Sequence, residues 1–197
     1  MNKKASCGPL KWSGKTALRL ILAFACTLSV SVLAYDSSEP PNSPTRQAVV
    51  KVENFSLRDH EGKSRELYRQ SEARAIVLIF TSTGCPIAQK SVPKVKALRD
   101  EFGPKGVVFW LINSNAQDDL GSIREEAADF KIDLPILLDQ SQVVAKFLGV
   151  TRTAEVVCIQ PKSWTVFYRG AIDDRLGHGA EKRRASHAYL QNALTSF

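Results

Sequence analysis

Six consecutive apolar residues, AIVLIF at 75–80, constrain this chain more than any other stretch. A strand with one wet face alternates apolar and polar side chains, so a run with no polar position needs cover on both faces. The chain must therefore build a sheet with layers above and below it. GVVFWLINS at 106–114 is a second buried strand, and LPILLD at 134–139 a shorter one.

The intervening stretches switch to helical spacing. In PIAQKSVPKVKALRDEF, Ile87, Val92, Val95, Leu98 and Phe102 form one stripe, with Pro93 inside it as a kink. SIREEAADF predicts a helix with Ser122 and Glu125 at capping-box spacing. SQVVAKFLGV predicts another, from Ser141 to a close at Gly149. AEVVCI and TVFYRG read as strands joined by a QPKSW hairpin turn, and VVKVENFSLRDHEGKSREL as two short strands about a turn at residues 59–62. The tail predicts a last helix with Tyr189, Leu190, Ala193, Leu194 and Phe197 on one stripe and EKRRASH, 181–187, on its solvated face. The order ββ-β-α-β-α-β-α-β-β-α implies an α/β domain with a central mixed sheet.

The first 34 residues are of a different kind. Lys3, Lys4, Lys11, Lys15 and Arg19 precede the apolar run LILAFACTLSVSVLA, which ends in small residues with Val32 and Ala34 at the −3 and −1 positions of a cleavage site. That order predicts a secretory signal peptide over 1–34, with a membrane anchor only where it stays uncleaved. YDSSEPPNSPTRQ, 35–47, is polar and proline-rich and predicts a linker, leaving 48–197 as one domain. The formal net charge of +7 falls to +2, 22 basic against 20 acidic residues, once the five basic residues of the leader are set aside. No remaining stretch interleaves basic and aromatic residues, so nucleic acid is not an expected partner. Removal of the leader takes Cys7 and Cys26 with it and leaves Cys85 and Cys158, in a periplasmic or secreted compartment where disulfides persist.

Cys85 follows the buried strand through the loop TSTG and precedes proline. A strand that delivers a cysteine to the first turn of a helix sets the sulfur against unpaired N–H groups and the positive end of the helix dipole, which stabilises the reactive thiolate. Pro86 suits the first helical position, where its missing N–H costs nothing. Cys158 lies in EVVCI, where alternation puts Val156 and Cys158 on one face and Val157 and Ile159 on the other, which predicts a buried core thiol.

The runs VENFSLRDHEGKSREL, AIVLIFTSTGCPIAQKSVPKVKALRDEFGPKGVVFWLINSN and LPILLDQSQVVAKFLGVTRTAEVVCIQPKSWTVFYRGAID together resemble the thioredoxin-like redoxins, most closely the peroxiredoxin-like (AhpC/TSA-type) branch. The resemblance covers nearly all of the chain after the linker. It implies a thioredoxin-like fold, a mixed sheet flanked by helices with an N-terminal hairpin. Cys85 takes the place of the first cysteine of a C-x-x-C motif, Pro93 that of the helix-kinking proline, and Ser82 that of the hydroxyl residue of the peroxiredoxin motif. The chain departs from those patterns at Ala88, where the second cysteine would stand, at Leu78 in place of a proline, and at Ala154. At that last position thioredoxin-like proteins carry a cis-proline and peroxiredoxins an arginine. A cis bond before alanine would cost ~3 kcal/mol more than trans, so a trans peptide is expected.

The expectation is a thiol oxidoreductase that uses one cysteine. Cys85 attacks a small peroxide or a disulfide-bearing partner, an external thiol reductant regenerates it, and neither metal nor cofactor takes part. Ser82, Thr83 and Pro86 belong to the thiolate's surroundings and Arg152 and Thr153 to the substrate side, with Glu155 nearby. The alternative is a non-catalytic thioredoxin-fold binding module in which Cys85 is a remnant. His60, His178 and His187 offer no metal-ligand spacing, although His178 sits in a glycine-rich loop that could approach Cys85. Asp173 and Asp174 read as a solvated turn.

Overall fold

The computed structural model describes residues 51–177 and 180–197. The predicted leader, the linker, Cys7, Cys26 and His178 lie outside the described residues. A hairpin comes first, β1 (Ser56–Arg58) and β2 (Ser64–Glu66), paired antiparallel. Asp59 shapes its turn by accepting from the N–H groups of Glu61 and Lys63, while Arg65 closes on its other oxygen at 2.9 Å.

The main sheet has five strands in the order β5-β4-β3-β6-β7: β3 (Ala75–Thr81), β4 (Val107–Asn113), β5 (Ile136–Leu138), β6 (Glu155–Gln160) and β7 (Thr165–Ala171). β3, β4 and β5 run parallel, whereas β6 is antiparallel to β3 and β7 to β6. Among the described residues four α-helices accompany the sheet: α1 (Pro86–Phe102), α2 (Leu120–Asp129), α3 (Val143–Phe147) and α4 (Tyr189–Ser196). The expected order of elements is observed. A further small hairpin, β8 (Leu176–Gly177) with β9 (Ala180–Glu181), stands between β7 and α4.

The apolar run does what its composition demands. Ala75, Val77 and Ile79 face one core with Val95, Leu98 and Phe102 of α1, Ile123 of α2 and Leu190 of α4. Ile76, Leu78 and Phe80 face the other, with Val144 and Leu148 around α3, Leu67, and the hairpin's Leu57 against its edge. Cys158 is fully buried beside Val156 in the first core, and burial pushes its thiol well above the ordinary value. Each large aliphatic side chain so enclosed contributes roughly 1.5–3 kcal/mol.

Four local expectations are corrected. α1 buries Ala88, Ser91, Val95, Leu98 and Phe102, leaving Ile87 and Val92 half-buried. Ser91 tolerates the core side because its hydroxyl donates to the Ile87 carbonyl at 2.7 Å. α2 is capped one turn earlier than the Ser122 spacing implies: Asp119 accepts from Ser122 N–H, so Ser122 is the capped residue and not the cap. α3 starts at Val143, because the Asp139 carboxylate already takes the N–H groups of Val144 and Ala145. Its last residue is Phe147, and the chain turns out of it at Gly149, the expected closing residue, whose φ of 65° lets Val150 N–H return to the Ala145 carbonyl.

The fourth correction concerns EKRRASH. Glu181 belongs to β9 and the rest is loop, so α4 begins only at Tyr189. Asp174 is the reason. Its carboxylate accepts from Lys182 Nζ and from the backbone N–H groups of Ser186 and His187, contacts that hold its acid well below the usual range. Those N–H groups are thereby diverted from helix formation.

Candidate functional site

β3 ends at the centre of the sheet, and the next four residues carry the chain from its edge into α1. Gly84 takes the left-handed turn, φ 75°, and Cys85 is the residue that caps α1, in extended backbone at φ −77° and ψ 113°. Pro86 occupies the first helical turn, as its chemistry favours. The Cys85 sulfur therefore sits at the N-terminal end of a 17-residue helix, partly exposed.

Thr153 comes to meet it. Its hydroxyl oxygen lies 3.0 Å from the Cys85 sulfur, and the following residue, Ala154, donates its N–H to the Phe80 carbonyl at 2.7 Å. That bond clips the segment before β6 to the end of β3. No peptide is cis among the described residues, and Ala154 reaches this position with φ 59°, a left-handed conformation that is uncommon outside glycine. An open cleft of about 500 Å³ lies over the sulfur, walled by Ile87, Arg152, Thr153, Ala154, Ile172 and Leu176. Arg152 is exposed on this wall.

The remaining expected residues are placed elsewhere. Ser82 turns its hydroxyl to Asp118 at 3.2 Å and receives Asn115 Nδ2 at 3.1 Å. Thr83 is held through its backbone N–H, 2.7 Å from the same Asp118 oxygen. Glu155 is buried and accepts from Thr151 N–H, with Arg169 Nε 3.8 Å away, so its carboxylate is engaged away from the cleft over Cys85. His60 binds backbone at Ile136. No group of three or more metal-ligating side chains is present among the described residues.

Two carboxylates that the sequence did not single out organise the loop before Cys85. Asp118, nearly buried, gathers Ser82 Oγ, Thr83 N–H, Asn113 Nδ2 and Asn115 Nδ2. Glu126 of α2 accepts from Gly84 N–H at 2.6 Å and Gln89 Nε2 at 2.8 Å. The Ser82 hydroxyl and the N–H groups of Thr83 and Gly84 thus end on these two carboxylates, which fixes the loop that carries the sulfur. The available signal was Asn113: an amide at the end of an otherwise apolar strand requires a polar partner behind it.

What this arrangement can do chemically is narrow. When Cys85 is a thiolate, the Thr153 hydroxyl can only donate to it, and a charge-assisted bond of that kind holds the anion. Cys158 is fully buried in strand β6, so it is not a partner for exchange at the surface.

Comparisons with known proteins bear on the family and the fold. Residues 49–175 match the model of the AhpC/TSA family. The thiol-disulfide oxidoreductase ResA of Halalkalibacterium halodurans is 30% identical over 133 residues, 68% of this chain and 73% of that protein. Among solved structures, a hypothetical protein from Sinorhizobium meliloti 1021 aligns with a TM-score of 0.64 at 21% identity, over 75% of this chain and 84% of its own. A secreted disulfide oxidoreductase of Mycobacterium tuberculosis, homologous to DsbE of E. coli, aligns with a TM-score of 0.54 at 16% identity, over 73% and 96%. These last two likenesses establish the thioredoxin-like fold.

Proposed function

This chain belongs to the AhpC/TSA family of redoxins, and from that premise we propose that it is an exported thiol oxidoreductase in which Cys85 alone carries the chemistry, by exchange with disulfides. The observation that carries this reading is the partly exposed Cys85 sulfur, 3.0 Å from the Thr153 hydroxyl under an open cleft. In the first step the Cys85 thiolate, its proton given to solvent, attacks one sulfur of a substrate disulfide. The S–S bond breaks, a mixed disulfide forms on Cys85, and the departing thiolate takes a proton from water. An external thiol then attacks the mixed disulfide and leaves with the substrate sulfur, returning Cys85 as thiol. The external thiol is required because Ala88 stands where a resolving cysteine would be and Cys158 is enclosed in the core.

Peroxide reduction is the second reading, supported by family membership. There the thiolate takes the terminal peroxide oxygen to become a sulfenic acid, and the other oxygen leaves as water or alcohol. Disulfide exchange is preferred because Ser82, the hydroxyl of the peroxidase pattern, is turned to Asp118 and no described guanidinium bonds the sulfur.

Residues 1–34 serve in this proposal as the secretory leader, 35–47 as a linker and 48–197 as the redoxin domain. The charge pattern of the leader, the start of the family match at residue 49 and the secreted relative support that division. The test is peptide mass mapping of Cys85 after exposure to a model disulfide or to peroxide, with Cys85→Ser as control. A mixed disulfide at Cys85 that a thiol removes is the expected result. A Cys85 that forms neither a mixed disulfide nor a sulfenic acid overturns the enzyme reading and leaves a binding module.

A further inference from the structure

The segment Thr151–Arg152–Thr153 is a wall with two sides. One side faces the cleft over Cys85. The other faces a second cleft of about 330 Å³, at the ends of β3 and β4, whose lining includes Ser82, Ser114, Asn115, Gln142, Lys146 and Arg152. This is where ligands of open α/β sheets bind, beyond the carboxyl ends of parallel strands, and its size is that of a small-molecule site.

Its charge is one-sided. Lys146 and Arg152 are both exposed, and among the described residues neither lies within ion-pair distance of a carboxylate. The acids behind this cleft are already engaged. Asp139 accepts from Ser114 Oγ and the N–H groups of Val144 and Ala145, Asp118 holds the loop before Cys85, and Glu155 takes Thr151 N–H and faces Arg169. What remains toward the opening is two cations and several neutral hydrogen-bonding groups.

We propose that this second cleft is the subsite for a carboxylate of a small disulfide substrate, Arg152 and Lys146 receiving the anion while the substrate's sulfur meets Cys85 on the other side of Thr153. The proposal rests on thiol exchange at Cys85. The chemical step is unchanged: the bond made is to the Cys85 sulfur, the bond broken is the substrate's S–S, and the departing thiolate is protonated by water. The second cleft adds selection, because an anionic substrate is drawn to the wall that carries the reactive sulfur.

The experiment uses the full chain and three disulfides of similar length: dithiodipropionate (anionic), bis(2-hydroxyethyl) disulfide (neutral) and cystamine (cationic). Second-order rates of adduct formation at Cys85 are divided by each probe's rate with a small neutral thiol. The expected order is anionic, neutral, cationic. Lys146→Gln and Arg152→Gln should each lower the anionic-to-neutral ratio about 3- to 10-fold, and salt should erode it. Lys162→Gln, exposed and lining neither cleft, controls for net charge and should leave the ratio where it was. Equal normalised rates, or a ratio that moves as much in Lys162→Gln, overturn the anion subsite and leave exchange at Cys85 standing. No adduct with any of the three overturns both.

Discussion

Thr153 holds its hydroxyl 3.0 Å from the Cys85 sulfur across 68 positions of sequence, and among the described residues it is the one side-chain group that hydrogen-bonds the thiol. Two short segments, one leaving β3 and one entering β6, are brought together by the Ala154 N–H to Phe80 carbonyl bond. Replacing Thr153 by Val keeps the shape and removes the donor. The rate of mixed-disulfide formation at Cys85 should fall about tenfold, the worth of one hydrogen bond to a charged group. Thr153→Ser should restore it. Stopped-flow or mass-resolved adduct kinetics checks both, and a Val variant as fast as the parent would remove Thr153 from the chemistry.

Asp118 should matter to the fold of the loop more than to the reaction itself. Asp118→Ala strips acceptors from Ser82, Thr83 N–H, Asn113 and Asn115 at once. Leaving partly buried donors unpaired costs about 1–3 kcal/mol each where water cannot replace the partner, so a loss of about 2–4 kcal/mol is expected. Urea denaturation measures it. Asn at this position keeps one acceptor oxygen and should lose less.

Asp59 gives a prediction with a pH sign. Burial alone would raise its acid, but Arg65 and the N–H groups of Lys63 and Glu61 outweigh that and hold it below the usual 3.8. A carboxyl depressed in the folded state contributes stability above the unfolded value, and that contribution is lost as pH falls through the folded one. Asp59→Asn should therefore be less stable than the parent at neutral pH. The gap should close below about pH 4. Thermal melts of both proteins from pH 7 to pH 2 provide the check, and a gap that stays constant would mean that the ion pair contributes nothing.

How much of this could be read from the chain follows from what each feature depends on. The two-sided burial of β3 was legible because it is a property of consecutive residues, as was the core position of Cys158 from alternation along β6. At the candidate site the placement of Cys85 and Pro86 at the start of α1 was legible, because strand, loop and helix follow one another there. The roles of Asp118 and Glu126 were not, because each acts on residues 35 to 42 positions away through contacts that only the packing of α2 and its preceding loop against α1 creates. EKRRASH failed for a related reason. Its composition suits a helix, yet Asp174, several residues upstream, captures the backbone that a helix would need.

Ala88 allows the absent second sulfur to be supplied. It lies three residues after Cys85, on the first turn of α1, where positions i and i+3 share a face. It is nearly buried and borders a narrow cavity of about 20 Å³ that also touches Ile79, Gln89, Glu126 and Ala154. One added sulfur fits a space of that order, with little of the overpacking cost of a filled core. In Ala88→Cys the mixed disulfide formed at Cys85 should be displaced from within. The product would then be an internal disulfide between Cys85 and the introduced thiol, lacking two hydrogens, with no adduct retained. Intact mass after a disulfide pulse separates the outcomes. An adduct that persists in the variant would show that the helix turn holds the two sulfurs apart.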